Sequence, residues 1–325
     1  MDIGVIGVGS MGQNHARVLS RMGVLAAVMD TEEGNAKEIG ERFDVPFYSD
    51  IDSLLEIDLD GVTIATPAHT HKKVCDTAIE NGLNVLIEKP ISLNISEAEE
   101  MVKYAEEQGV VFSVGMIERH NPVVSSTKKF LKEGNVGDII TISSRRVSSF
   151  PTRVSDMGVI MDLAIHDIDV MRYLLDDEIV SVYSLGGVSG GNSGYEDHAN
   201  IMLNFSNGVN GVVEVNWLTP HKVRTLSITC SNDYVEMDYI DQSLVVTSSE
   251  LMDFDTSNLF DIPLENNIRR FSVKRKEPLK KEMEDFVEAI KGEHEPLVKG
   301  RDALKSMYVT HAAVESLKKG KEIEL

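Results

Sequence analysis

Polar side chains interrupt an apolar stretch near the middle of the chain, MDLAIHDIDV at residues 161–170. Asp162, His166 and Asp169 are spaced by four and three residues, so they share one face of a predicted helix. An imidazole can accept a proton near neutral pH, and a carboxylate one turn away can orient it, which is the chemistry of a general base. The other interpretation is a solvent-exposed helix face that carries a surface Asp–His pair. Asp167 falls on the apolar side, and the pattern assigns it no role.

A lysine elsewhere in the chain could complete such a site. Lys89 directly follows the predicted strand Asn84–Glu88 and precedes Pro90 in IEKPIS. Ligands of open α/β sheets bind at the carboxyl ends of the strands, where an ammonium can stabilise negative charge that develops on a substrate oxygen. The residues alone leave two points open: Lys89 could be an ordinary surface lysine, and either His166 or Lys89 could be the base.

A glycine-rich turn near the start predicts a dinucleotide site. VIGVGSMGQNHARVL contains Gly7, Gly9 and Gly12 as GxGxxG, after a predicted strand and at the start of a predicted helix. The glycines allow a tight turn, close approach of a pyrophosphate and close packing of helix on strand, with the phosphates at the helix N-terminus. Asp30 ends the next strand, where a carboxylate accepts hydrogen bonds from ribose hydroxyls and repels a 2′-phosphate. The glycine turn followed by Asp30 therefore predicts that the chain binds NAD rather than NADP.

The elements that would position these residues alternate along the first third of the chain. Short apolar segments and helical patterns follow one another, which is typical of βαβ units and a parallel sheet. The predicted helices cover residues 12–22, 34–43, 71–81 and 96–109, the last with Ser96 as its N-cap. The predicted strands are Ile3–Val8, Leu25–Asp30, Gly61–Ala65, Asn84–Glu88 and Val111–Met116.

After Met116 the pattern changes to longer alternating segments joined by Gly and Asn turns, which favours a mainly antiparallel sheet. A helix at 159–175 is set among these strands, and helices near 279–291 and 301–318 close the chain. We therefore predict an α/β protein with a Rossmann domain at 1–118 and an α+β domain at 119–325, built on a large open sheet.

Composition excludes several classes of partner. The chain has 325 residues and a formal charge of -21, which argues against nucleic acid or an anionic membrane as a partner. Two distant cysteines fit a reducing compartment, and His69-x-His71 in ATPAHTH has no further ligands that we can place, so we predict no metal. Without a basic leader or a run of 18 apolar residues, the chain is expected to be cytoplasmic and soluble.

Residues 119–153 are a basic exception, with seven Lys or Arg against two acids. Ordinary surface charge explains the helical lysines. Arg119, Arg153 and one of the pair Arg145 and Arg146 could instead face a cleft, where guanidinium groups suit a phosphate-bearing substrate.

Four motifs together resemble the glucose-fructose oxidoreductase and inositol dehydrogenase family (Gfo/Idh/MocA): GxGxxG, AT-P-x-x-x-H at 65–71, EKP at 88–90 and DLAIHDID at 162–169. The resemblance implies a Rossmann domain, a second domain whose sheet commonly forms an oligomer interface, and final helices that return toward the first domain. It assigns the family's lysine to Lys89 and its acid and histidine to Asp162 and His166. Ala164 departs from the family, where glycine is common.

The stretch around FPTRVSDMGVIMDLAIHDID is similar to family members that oxidise UDP-N-acetylglucosamine at C3. The expectation is therefore an NAD-dependent sugar dehydrogenase, with a dehydrogenase of a free sugar or inositol and a non-catalytic regulator as alternatives. The predicted catalytic residues are Lys89, Asp162 and His166. The predicted cofactor contacts are Gly7, Gly9, Ser10, Met11, Gly12, Asp30, Thr66, Pro67, His71, Glu88 and Lys89. The predicted substrate contacts are Arg119, Asn121, Arg146, Arg153, Asp162 and His166.

Overall fold

The computed structural model of the chain describes residues 1–133, 136–150, 157–190, 194–251 and 264–325. They divide into two compact units. The first unit comprises Met1–His120 and Glu277–Met307, and the second comprises Asn121–Lys276 and Tyr308–Leu325. A six-stranded parallel sheet in the first and a nine-stranded, mostly antiparallel sheet in the second confirm the predicted fold class.

The six-stranded sheet has the order β3-β2-β1-β4-β5-β6, with β2 and β4 on opposite sides of β1. The strand order therefore reverses at β1 and β4, and such a reversal opens a crevice at the carboxyl ends of the strands. The central strands are entirely buried because helices cover both faces of a parallel sheet. The strands are β1 (Ile3–Ile6), β2 (Leu25–Met29), β3 (Phe47–Tyr48), β4 (Gly61–Ile64), β5 (Asn84–Glu88) and β6 (Phe112–Gly115).

Five α-helices connect these strands: α1 (Gly12–Met22), α2 (Glu33–Phe43), α3 (Ile51–Leu54), α4 (His71–Glu80) and α5 (Ile95–Gln108). Short 3₁₀ turns cover Ala68–Thr70 and Ile117–His120. The predicted cap of α5 was wrong. The side chain of Asn94 accepts a hydrogen bond from the Ser96 amide at 2.9 Å, so Asn94 is the N-cap and Ser96 lies inside the first turn.

The nine-stranded sheet has the order β14-β13-β12-β11-β7-β10-β9-β8-β15, and β7 and β10 are its parallel neighbours. Along β9, Ala199, Ile201 and Leu203 are buried while the residues between them are exposed, so one face carries the core. The strands are β7 (Ile139–Ser149), β8 (Ile179–Gly187), β9 (His198–Phe205), β10 (Asn210–Asn216), β11 (Leu218–Cys230), β12 (Asp233–Asp238), β13 (Ser243–Leu251), β14 (Leu264–Phe271) and β15 (Ile323–Glu324).

Two helical segments of the second unit carry candidate site residues: α6 (Pro122–Glu133) and a continuous helix that starts as a π-helical turn, Ile160–Ala164, and continues as α7 (Ile165–Leu175). The sequence predicted one regular α-helix over 159–175. The wider π-turn instead gives Asp162 a different helical phase from the residues of α7.

Helix α8 (Pro278–Ile290) completes the core of the first unit, where Leu279, Met283 and Phe286 pack with residues such as Ile3 and Leu19. Helix α9 (Gly300–Lys319) contributes to both units, which divide after Met307. Within the part of the chain that the structure describes, we find no helix long and apolar enough to span a membrane.

Candidate active site

The glycine turn between β1 and α1 shows which of its glycines the fold itself requires. Gly7 has φ +83°, and a Cβ there would lie 2.7 Å from the Thr66 side chain. A Cβ on Gly12 would lie 1.7 Å from the Gly7 carbonyl oxygen, whereas a Cβ on Gly9 would meet nothing within 4 Å. The chain's own packing explains Gly7 and Gly12. Gly9 faces open space, as expected where a ligand approaches the backbone.

The start of α1 has the electrostatics of an anion site. Its N-cap residue, Met11, makes no side-chain capping bond, and the first turn contains no acid. The positive end of the helix is therefore not neutralised by its own side chains, which fits the phosphates of a dinucleotide. The Ser10 carbonyl accepts a hydrogen bond from Asn14 at 2.8 Å and fixes the turn.

Asp30 lies beside this turn, at the end of β2. Its Oδ2 accepts the Val8 amide at 2.8 Å and its Oδ1 accepts the Glu32 amide at 3.0 Å. These bonds hold the carboxylate at the mouth of the turn, and each oxygen keeps a lone pair for a further donor such as a ribose hydroxyl.

His71, predicted as a cofactor contact, has protein groups as its hydrogen-bond partners. The ring is buried, with Nδ1 at 3.0 Å from the Pro90 carbonyl oxygen and Nε2 at 2.9 Å from the Thr66 carbonyl oxygen. Burial lowers the pKa of His71, and a neutral ring has a single N–H, which donates to one of these carbonyls. The ring thus joins the segment after β4, Thr66–Pro67, to the segment after Lys89 and positions both.

Glu88, also predicted as a cofactor contact, turns toward the protein interior. Its Oε1 lies 3.0 Å from His15 Nε2 on α1, and its Oε2 accepts the backbone amide of Lys89 at 3.3 Å. Glu88 therefore fixes the backbone of the residue that follows the strand. His15 was not predicted as a partner of Glu88, because a lone histidine in the first turn of a helix gives no signal of its partner.

In the second unit, the predicted polar stripe is not a solvent face. Asp162, His166 and Asp169 are 2%, 9% and 1% exposed. The Asp162 amide donates to the Gly158 carbonyl at 3.0 Å, so the π-turn begins with a regular helical bond. Three buried titratable side chains on one helix exclude the amphipathic-surface interpretation.

Arg146 does not have the environment expected of a substrate contact. Its guanidinium is buried and bonds Asp167 through two nitrogens, at 2.6 and 3.2 Å, and it stacks 5.0 Å from the Tyr239 ring centroid. This pair gives Asp167 the role that the sequence did not supply. It ties α7 to β7 one residue after His166, and it removes Arg146 from the proposed substrate contacts.

Arg119 and Asn121 also bond protein groups. The Arg119 guanidinium donates to the Leu297 carbonyl at 3.4 Å and lies 3.6 Å from Asp302. The Asn121 side chain donates to the Tyr239 carbonyl at 3.0 Å and accepts the Val123 amide at 3.3 Å, at the start of α6. Both side chains are buried and hold the chain near the division between the units. Arg153 lies outside the described residues.

The basic segment is largely neutralised by acids. Lys128 and Lys132 pair with Asp176, and Arg145 pairs with Glu214 at 3.0 Å. Lys129 faces Glu133 one turn along α6. The excess of positive charge in the sequence of residues 119–153 therefore does not amount to a phosphate site among its described residues.

Glu196 supports the helix of the candidate site and was not predicted from the sequence. Its Oε1 accepts the Ile160 amide at 3.2 Å and its backbone carbonyl accepts the Val159 amide at 2.9 Å. A Cβ on Gly158 would lie 2.0 Å from the same carboxylate. Glu196 thus caps the helix that carries Asp162 and His166, and burial raises its pKa. It lies in a segment rich in glycine, to which the sequence assigned no site residue.

Comparisons with known proteins match two parts of the chain to one family. The model of the Gfo/Idh/MocA oxidoreductase family, NAD-binding Rossmann fold, matches residues 1–116, and that of the GFO/IDH/MocA C-terminal domain matches 124–236. The UDP-N-acetylglucosamine 3-dehydrogenase of Acidithiobacillus ferrooxidans is 29% identical over 97% of this chain and 98% of its own. A solved structure of that enzyme has a TM-score of 0.87 and covers 98% of each chain at 26% identity. The myo-inositol 2-dehydrogenase of Thermotoga maritima is 26% identical over 100% of this chain and 98% of its own.

The position of Asp30 leads to a prediction about cofactor choice. We expect kcat/KM to be at least about tenfold higher with NAD than with NADP, because a fixed carboxylate beside the turn repels a 2′-phosphate. Asp30→Ala should narrow this ratio, and Asp44→Asn, an exposed acid of the same unit, should leave it unchanged. Steady-state assays with both cofactors measure the ratio. Equal kcat/KM values for the wild type would contradict the assigned role of Asp30.

Proposed function

Because the chain belongs to the Gfo/Idh/MocA family of NAD-dependent sugar and inositol oxidoreductases, we propose that it oxidises a secondary hydroxyl of a nucleotide sugar. The substrate that we propose is UDP-N-acetylglucosamine, converted at C3 to the 3-keto sugar. The supporting observation is the similarity to the UDP-N-acetylglucosamine 3-dehydrogenase over almost the full length of both chains. The basic residues of 119–153 that the structure describes are paired with acids and do not support a phosphate-bearing substrate. The proposed substrate therefore rests on the similarity to this enzyme.

The residues present fit NAD. The uncapped start of α1, the open space at Gly9 and the fixed carboxylate of Asp30 would hold its phosphates and its adenosine ribose. When bound, NAD supplies the nicotinamide that accepts a hydride from the alcohol carbon. Orientation, proton removal and charge stabilisation are left to the protein.

We assign these tasks to three side chains. His166 accepts the hydroxyl proton of the substrate, since a neutral imidazole is the side chain best suited to this near neutral pH. Asp162, on the preceding turn, orients the ring and stabilises the imidazolium that forms. Lys89 donates a hydrogen bond to the reacting oxygen and stabilises its developing negative charge. Lys89 leaves a strand whose end is fixed by His71 and Glu88, and His166 lies on a helix fixed by Arg146–Asp167 and Glu196, which suits precise positioning.

A substrate panel tests the proposal. We expect kcat/KM for UDP-N-acetylglucosamine to exceed that for free N-acetylglucosamine by at least about a hundredfold, equivalent to about 2.8 kcal/mol, because the UDP group contributes remote binding energy. NADH absorbance measures the rate. Arg153→Ala, the remaining proposed phosphate contact, should raise KM for the UDP-sugar, whereas Lys129→Ala on the exposed face of α6 should not.

The same panel decides between the alternatives. The myo-inositol 2-dehydrogenase matches this chain over an equal share of its length, so oxidation of inositol or a free sugar is the second candidate. Turnover of myo-inositol at a rate equal to that of the UDP-sugar would favour it. Binding of NADH without turnover of any substrate would favour a non-catalytic regulator.

We also propose that the chain forms a homo-oligomer through the face of the nine-stranded sheet opposite the core. Met202 pairs with Val212 in neighbouring strands of this face, and both side chains are exposed, as are Leu185 and Ile268. Apolar side chains clustered on an exposed sheet are typical of a protein interface. Light scattering with Met202→Glu, which places a charge beside Val212 on this face, tests the assembly.

A further inference from the structure

Three titratable side chains converge beneath the strand end that carries Lys89: His15 from α1, Glu88 from β5 and Glu282 from α8. One side-chain nitrogen or oxygen atom of each residue lies within 4.8 Å of such an atom of the other two. All three residues belong to the first unit. Glu282 is 1% exposed, and neither of its carboxylate oxygens has a hydrogen-bond partner among the described residues. An ionised carboxylate that is buried without a partner is strongly destabilising, so this group must be neutralised.

The charges around Glu282 favour a proton as the neutralising group. Glu88 faces it from β5, Glu118 from the 3₁₀ turn Ile117–His120 and Asp285 from α8, and each disfavours a further negative charge. Burial, followed by these carboxylates, raises the pKa of Glu282 well above its usual range. His15 is the basic group of the cluster, and it bonds Glu88 at 3.0 Å.

The 3₁₀ turn Ile117–His120 also carries a buried histidine, His120. Burial, together with the positive charges of Arg119 and Lys281, lowers the pKa of His120 to about 3. His120 is therefore neutral and supplies no positive charge to the cluster.

We propose that Glu282 is a neutral carboxylic acid in the folded protein, that it donates its proton to Glu88 in a hydrogen bond, and that it thereby positions Lys89. Glu88 then accepts from Glu282, and its Oε2 remains bonded to the Lys89 amide at 3.3 Å. Its carboxylate packs against Gly115 on β6, where a Cβ would lie 3.2 Å from it, so it has little freedom to turn away. Glu282 is a positioning residue. The link between Glu282 and catalysis rests on the proposed role of Lys89. The protonation of Glu282 does not depend on that role.

The protonation of Glu282 has a measurable effect on stability. An acid whose pKa is higher in the folded state stabilises the fold fully at low pH, and this contribution is lost as pH rises through the folded pKa. Glu282→Gln keeps the shape and the hydrogen-bond donor without an ionisable proton. We expect the Tm of this variant to exceed that of the wild type by at least about 2 °C at alkaline pH, with the difference shrinking toward pH 5. Glu80→Gln, at the exposed end of α4 in the same unit, is the control and should show no such trend.

Infrared spectroscopy and hydrogen exchange complete the experiment, and neither requires a substrate. The wild type should show the carbonyl band of a protonated carboxylic acid that Glu282→Gln lacks. The peptide containing Lys89 should exchange at least about tenfold faster in Glu282→Met, which cannot donate, than in Glu282→Gln.

Three results would overturn the proposal. The first is the absence of the carbonyl band from the wild type. The second is one bound divalent metal ion per chain that Glu282→Gln loses, which would make the cluster a metal site. The third is equal hydrogen exchange of the Lys89 peptide in Glu282→Met and Glu282→Gln. If Glu282→Met does not fold, the carbonyl band and the Tm profile of Glu282→Gln still test whether Glu282 is protonated. A protein that turns over no alcohol contradicts the proposed function and leaves these outcomes intact.

Discussion

Replacing His166 with alanine is expected to lower kcat by about 10²–10⁴-fold, the range for loss of a general base. His166 lies on α7 beside the Arg146–Asp167 pair, and the ring is 9% exposed. The substitution removes the proton acceptor and leaves the glycine turn and Asp30 intact. Single-turnover NADH formation measures the loss, and fluorescence titration with NADH should give a Kd within about threefold of the wild-type value.

A matched control and a pH profile separate this role from a general loss of structure. His221→Ala removes an exposed histidine from β11 and should leave kcat unchanged. If His166 is the base, the low-pH limb of the kcat profile disappears in His166→Ala and persists in Lys89→Ala. The reverse pattern would assign the base to Lys89. Wild-type turnover by His166→Ala would remove it from the mechanism.

Replacing Lys89 with alanine is expected to lower kcat by about 10²–10³-fold, as for the loss of one donor to a developing oxyanion. Two neighbours hold its backbone: Glu88 accepts its amide, and His71 bonds the carbonyl of the next residue, Pro90. The ammonium is therefore presented from a fixed position. Because the lost interaction forms in the transition state, kcat and kcat/KM should fall together while KM changes little.

Lys73→Ala provides the control for Lys89→Ala. Lys73 is an exposed lysine of α4 in the same unit, and its removal tests whether the loss of any positive charge lowers the rate. An increase in KM with unchanged kcat for Lys89→Ala would instead indicate ordinary substrate binding. In that case Lys89 would have no part in stabilising the transition state.

The first unit could be predicted almost element by element. The strand Asn84–Glu88 and the helix over residues 12–22 match the structure, and the other strands of this unit that the sequence predicted differ by one or two residues at their ends. These segments are short strands rich in apolar residues and followed by amphipathic helices, so local periodicity is sufficient. The π-turn at Ile160–Ala164 was not predictable in the same way, because the apolar spacing of this segment fits a regular α-helix equally well.

The residue types at the candidate site could also be predicted from the sequence. The glycine turn and its NAD-binding fold were predicted from GxGxxG followed by Asp30, and the comparisons confirm them. Lys89, Asp162 and His166 were identified by type and motif, and their catalytic roles remain predictions. The structure places several predicted contacts in hydrogen bonds with the protein, among them Arg146, His71 and Glu88, and their contacts with a ligand stay predictions.

The reason is physical. Periodicity and turn chemistry act between near neighbours, so the sequence is enough to determine the class of fold, the cofactor turn and the residue types available for catalysis. Hydrogen-bond partners, in contrast, are often far apart in the chain. Asp167 bonds Arg146, and Glu88 bonds His15. Glu282 approaches Glu88 and His15 from α8, near the C-terminus. A buried charge acquires its role from such partners, and only the tertiary structure could decide which charged side chains are paired inside the protein and hold it together.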